Sequence, residues 1–89
     1  MIVISAVWCP SCLILKKHLK KLKSEYNDII FEILDYDLDD DVKSYNVGNT
    51  LPVIIIKDDD NVENRLIGEK SYQEVLDFLK KCDYLWNLN

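Results

Sequence analysis

The chain has 89 residues, 48% of them hydrophobic and 30% charged, with a net charge of −5. These proportions describe one soluble globular domain over residues 1–89, of a size that buries only about 60% of its unfolded surface. The acidic balance excludes a nucleic-acid binder working through a general basic surface. No apolar stretch approaches the roughly 18 residues of a membrane span. The first residues lack the basic and long apolar regions of an export signal, so the expected compartment is the reducing cytoplasm. In that compartment closely spaced cysteines are catalytic or metal-binding more often than structural.

Residues 2–7 are a short apolar, β-branched run, the pattern of a buried strand. Pro10 fits the first position of a helix, where its missing N–H costs nothing. Leu15, Leu19, Leu22 and Tyr26 recur at helical spacing, which predicts a helix ending near Tyr26 and Asn27. Residues 29–35 read as a second strand. An aspartate cluster then starts a short helix or turn over residues 38–45. Pro52 opens a third strand at 53–57, as proline can at a strand's first residue. A hairpin loop at 58–61 leads to a fourth strand at 63–67, stopped by Gly68. Ser71 and Glu74 form a capping box for a last helix, whose apolar face carries Val75, Leu76, Leu79 and Cys82. The order is β-α-β-(α)-β-β-α, with a right-handed crossover in the first unit.

Trp8-Cys9-Pro10-Ser11-Cys12 falls at the junction of the first strand and the first helix. Disulfide exchange needs one exposed thiol that ionises near neutral pH and a second thiol close enough to release the captured substrate. Cys9 occupies an N-cap position. There its sulfur can accept from the amides of Ser11 and Cys12 and faces the positive end of the helix dipole, and both effects favour thiolate. Cys12 lies one turn further on the same side, within disulfide reach. Cys9 is therefore the expected nucleophile and Cys12 the resolving thiol.

Two other uses of the pair compete with this one. A structural disulfide across so short a loop contributes only about 2 kcal/mol by the chain-entropy relation. A zinc site needs two further ligands, for which the chain offers Cys82 and His18 but no second CxxC. Asp35, Asp37 and Asp39 mimic the start of a calcium loop, but Asp40 stands where glycine is needed and Asn46 where glutamate is needed. Cys82 reads as a buried thiol, and His18, two turns beyond the dithiol, is too far for direct proton transfer. Residues 16–23 carry five lysines, and residues 25–41 carry eight acidic groups without a basic one. Both stretches read as solvated faces, and the apolar tail Tyr84, Leu85, Trp86 and Leu88 as docked on the core.

The element order, with Trp8-Cys9-Pro10-Ser11-Cys12, Thr50-Leu51-Pro52 and Gly68, resembles the thioredoxin superfamily in its compact, glutaredoxin-like form, over nearly the whole chain. The resemblance implies an α/β minimal thioredoxin fold, a four-stranded mixed sheet of order 2-1-3-4 with helices on both faces. It implies a thiol–disulfide oxidoreductase with Cys9 and Cys12 catalytic and Trp8, Pro10, Ser11, Thr50, Leu51, Pro52 and Gly68 binding substrate. In that family the proline of the middle motif is cis and faces the dithiol. Sequence alone would not give that isomer, since cis occurs at only about 5–6% of X–Pro bonds. The backbone before it pairs with substrate in a short β-like contact.

The chain departs from both main branches. Thioredoxins carry glycine-proline between the cysteines and a buried acid on the preceding strand; here the pair is Pro10-Ser11 and residues 2–7 hold no acid. Glutaredoxins carry proline-tyrosine and a Gly-Gly pair followed by acids that helps hold glutathione; here Ser11 replaces the aromatic and Ile67-Gly68-Glu69-Lys70 keeps part of the second element. The expectation is a monomeric protein-disulfide reductase with no cofactor or metal beyond its own redox-active disulfide, recharged by a thioredoxin-reductase-type enzyme. A glutathione-dependent glutaredoxin and a metal or iron–sulfur module are the alternatives.

Overall fold

A computed structural model of the chain describes residues 1–57 and 62–82. The expected hairpin loop at 58–61 and the apolar tail beyond Cys82 lie outside the described residues. The elements are β1 (Ile2–Ser5), α1 (Pro10–Glu25), β2 (Glu32–Asp35), a 3-10 helix (Asp40–Tyr45), β3 (Val53–Lys57), β4 (Glu63–Ile67) and α2 (Tyr72–Lys81). The sheet order is β2-β1-β3-β4, with β1 parallel to β2 and antiparallel to β3, and β3 antiparallel to β4. This is the α/β fold and strand order expected.

Period-two alternation sorts the central strands onto two cores. Val3, Ile54 and Ile56 point to one face and meet Leu15, Leu19 and Leu22 of α1 and Val75, Leu76 and Leu79 of α2. Ile4, Val53, Ile55 and Leu34 point to the other, where Val42 of the 3-10 helix covers them. Residues 53–56 are all buried, so a strand covered on both faces reads as an unbroken apolar run. The two long helices share one face, and the 3-10 helix packs on the other. The second core runs to one end of the sheet and takes in Ala6, Cys9, Cys12 and Leu51.

Tyr72, at the start of α2, links the two long helices. Its hydroxyl donates to Glu25 Oε1 at 2.5 Å, Lys21 Nζ lies 4.4 Å from its ring centre, and the His18 ring is 5.8 Å away. Burial and the Glu25 carboxylate push its phenol well above the ordinary range. His18 thus belongs to the helix interface.

Two strands are shorter than the pattern suggested, and the short helix starts at Asp40 rather than at residue 38. β2 starts at Glu32 because the parallel ladder starts there, opposite Ile2, with the Glu32 amide donating to the Met1 carbonyl at 2.9 Å. Before it, Ile29 is buried in the core with Phe31 packed against it, and Ile30 is exposed to solvent. β1 stops at Ser5 because the chain turns: the Cys9 amide donates to the Ala6 carbonyl at 3.2 Å. The aspartate cluster shapes the link after β2. Asp35 Oδ1 accepts from the amides of Asp37 and Leu38, and Asp39 Oδ2 from that of Asp35.

The capping box at Ser71 is fully formed. Ser71 Oγ accepts from the Glu74 amide at 3.1 Å, and Glu74 Oε1 accepts from the Ser71 amide at 3.1 Å. That exchange holds the Glu74 carboxyl below its usual range. Ser71→Ala is expected to lower the unfolding free energy by about 1 kcal/mol, and Ser71→Gly by a few tenths, in urea denaturation.

Candidate active site

The Ala6–Cys9 turn delivers the dithiol to the start of α1. It leaves its two middle residues in solvent, Val7 76% and Trp8 57% exposed. Cys9 is the N-cap with extended backbone (φ −97°, ψ 110°), and Pro10 opens the helix. The Cys12 amide donates to Cys9 Sγ at 3.2 Å, one of the two amide donors expected from the sequence. Both cysteines are present as thiols.

Cys9 is 5% exposed and Cys12 1%, so the sulfur expected to be open is covered. The cause is tertiary: Cys9 packs with Ala6, Cys12 and Leu51 at the end of the second core. Burial, the hydrogen bond with Cys9 and the charge on Cys9 together push the Cys12 thiol up to about 11, against weaker opposite pulls from the Ala6 backbone and Lys16.

Residues distant in sequence close round this dithiol. Trp8 Nε1 donates to Asp37 Oδ2 at 2.6 Å, and the indole meets the Tyr36 ring edge-on at 6.3 Å. Ser11 Oγ donates to Glu69 Oε1 at 2.9 Å. The Leu51–Pro52 peptide is cis. The Gly68 amide donates to the Pro52 carbonyl at 2.9 Å, which fastens the proline loop to the end of β4. Gly68 has φ +90°, and Thr50 Cγ2 lies 3.6 Å from where a Cβ on it would sit. Space would allow alanine there; the backbone angle disfavours it. Thr50 is exposed, whereas Leu51 and Pro52 are buried.

The fold therefore gathers Cys9, Cys12 and Leu51 in one cluster, bonds Gly68 to Pro52, sets Thr50 beside Gly68, and ties Trp8 and Ser11 to acidic partners. Asp37, Tyr36 and Glu69 were not legible as site residues. Asp37 lay hidden in an acidic run that reads as a solvated face, and Glu69 carried only the signal of following Gly68. Cys82 lies apart from the dithiol as the half-buried C-cap of α2. Among the described residues no three His, Cys, Asp or Glu side chains converge as metal ligands. Nor is any helix among them long and apolar enough to cross a membrane.

A sequence model of the Thioredoxin family matches residues 1–81. The chain belongs to the thioredoxin family. Twelve chains of known structure match it. One, described as "Structure of a malarial protein", superposes with a TM-score of 0.72 at 24% identity, covering 91% of this chain and 94% of its own. That likeness is one of fold. No curated protein sequence matches. A thioredoxin-family domain with Cys9 and Cys12 in CxxC spacing fits a redox role.

Two outcomes follow from this geometry. Unfolded, Cys12 ionises near its ordinary value of 9.0; folded, it keeps its proton to about 11. The folded state then binds more protons between those values, so this contribution to stability is whole below pH 9 and lost as pH rises towards 11. The urea midpoint should fall more steeply over that interval in the wild type than in Cys12→Ser, and a thiolate absorbance step near pH 11 should be missing from the variant. Gly68→Ala should cost about 1 kcal/mol or more in the same denaturation experiment.

Proposed function

We propose that this protein is a thiol–disulfide oxidoreductase that reduces protein disulfides, with Cys9 as nucleophile and Cys12 as resolving thiol. The observation that carries this reading is the asymmetry of the pair: Cys9 caps a helix and its sulfur receives an amide hydrogen bond, while Cys12 is held protonated up to about 11. The N-cap position, with an amide donating to its sulfur, belongs to Cys9 and not to Cys12.

The Cys9 thiolate attacks one sulfur of the substrate disulfide. The substrate S–S bond breaks, a mixed disulfide forms, and the departing sulfur takes up a proton. Cys12 then gives up its proton and attacks Cys9 Sγ; the mixed bond breaks, the Cys9–Cys12 disulfide forms, and the second substrate sulfur leaves as a thiol. Two electrons pass to the substrate and the dithiol is oxidised. Two of the causes that hold the Cys12 proton, the hydrogen bond with Cys9 and the charge on Cys9, are removed once Cys9 is in the mixed disulfide. The first step therefore removes part of what holds this proton, while burial, the largest cause, remains, in a site whose β1 strand offers no carboxylate to take it. A separate reductase returns the electrons, and the reducing cytoplasm is the compartment in which this cycle runs towards substrate reduction.

Cys9→Ser should abolish reduction of a disulfide-bonded protein such as insulin, and Cys12→Ser should accumulate a mixed disulfide visible by non-reducing mass spectrometry. Undiminished turnover in Cys9→Ser overturns the assignment. A second reading, a glutathione-dependent glutaredoxin, is favoured by the Thr50-Leu51-Pro52 triplet, which resembles the glutaredoxin docking motif. Faster turnover with glutathione and its reductase than with thioredoxin reductase would select it.

A further inference from the structure

Exposed apolar residues flank the buried dithiol along the chain. Val7 and Trp8 stand out on the turn before Cys9, and Leu13, just after Cys12, is 54% exposed. Two carboxylates bond to the motif itself. Asp37 accepts from Trp8, the residue before Cys9, and Glu69 accepts from Ser11, the residue before Cys12. They arrive from different elements, Asp37 from the link after β2 and Glu69 from the link between β4 and α2.

Both donors, an indole N–H and a hydroxyl, are neutral, so neither bond cancels the charge of its carboxylate. The ion pair formed among the described residues is Arg65 with Glu63. Lys70, next to Glu69, acts on Glu74, and Lys16 acts weakly on Cys12 from the helix side. Each carboxylate is thus held against the motif by a hydrogen bond, and a partner charge meeting it loses less to ordering.

We propose that Asp37 and Glu69 are specificity-determining residues that select disulfides whose cysteines are flanked by lysine or arginine. The occupant is an extended segment with positive charge beside the cysteine and apolar side chains for Val7, Trp8 and Leu13. This proposal rests on the dithiol reading above. Exposed charge pairs each contribute only a few-fold, so two together give a preference of about tenfold at low salt.

The test uses the reduced full-length protein in single-turnover reactions with two disulfide-bridged peptides, identical except for lysine or glutamate beside the cysteines. Each rate constant is divided by that of the same peptide with dithiothreitol, which removes the peptide's own reactivity. The lysine peptide should be favoured about tenfold in roughly 20 mM salt, and the preference should shrink towards unity near roughly 0.5 M. It should also shrink several-fold in the double variant Asp37→Asn, Glu69→Gln, which keeps an acceptor oxygen for Trp8 and for Ser11; a purely structural role would leave the ratio unmoved. Equal normalised rates in the wild type, or a ratio unchanged in the double variant, overturn the proposal. Reduction of hydroxyethyl disulfide but of neither peptide also overturns it and leaves the dithiol reading standing. Reduction of none of the three overturns both.

Discussion

The hydrogen bond from the Cys12 amide to the Cys9 sulfur joins the start of a helix to the pair of thiols, and the rest of the site is arranged around it. A helix leaves its first amides without partners, and an N-cap side chain that accepts from them is ordinarily an oxygen. Here the acceptor is sulfur, which is where a charge would be favoured. The turn from Ala6 to Cys9 makes the placement possible: it begins directly after β1 ends at Ser5 and leads the chain into α1 with Pro10 at the first helical position. A longer connection would leave the cysteine side chain free to point elsewhere.

That position lies at the edge of a core rather than on open surface. The second apolar cluster extends from the sheet into the site, so Cys9 and Cys12 are packed as core residues with Leu51. Covering a sulfur raises the free energy of its charged form, while amides and the helix dipole lower it. The two cysteines are placed differently: the cap sulfur receives the amide, and Cys12, one turn in, is pushed up by desolvation, the bond with Cys9 and its field. One helix start therefore differentiates two chemically identical groups.

Three long-range contacts fix the surroundings. The Gly68 amide on the Pro52 carbonyl holds the proline loop against β4, and the indole and hydroxyl of the motif reach Asp37 and Glu69. The last two tie the short motif to the link after β2 and the link before α2, while the first holds the loop whose Leu51 packs with Cys9 and Cys12. The motif is thereby braced on several sides, which limits the rotamers of Trp8 and Ser11 and leaves the turn residues Val7 and Trp8 as a defined apolar surface.

The sequence by itself determined whatever depends on neighbours within about one helical turn or two strand residues. The strand runs at 53–57 and 63–67, the Ser71–Glu74 box, the proline at the start of α1 and the cap role of Cys9 were all legible, because spacing and side-chain type decide them locally. The sheet order came through resemblance. Tertiary structure alone decided the rest. The cis form of Leu51–Pro52, the burial of Cys9 and the late start of β2 depend on what packs or pairs against those residues. Asp37 and Glu69 stand 29 and 58 residues from the donors they hold, and no periodicity encodes such a meeting. An aspartate in an acidic run and a glutamate after a glycine look solvated in one dimension, and only the folding of β2 and β4 into one sheet brings them to opposite sides of the dithiol motif.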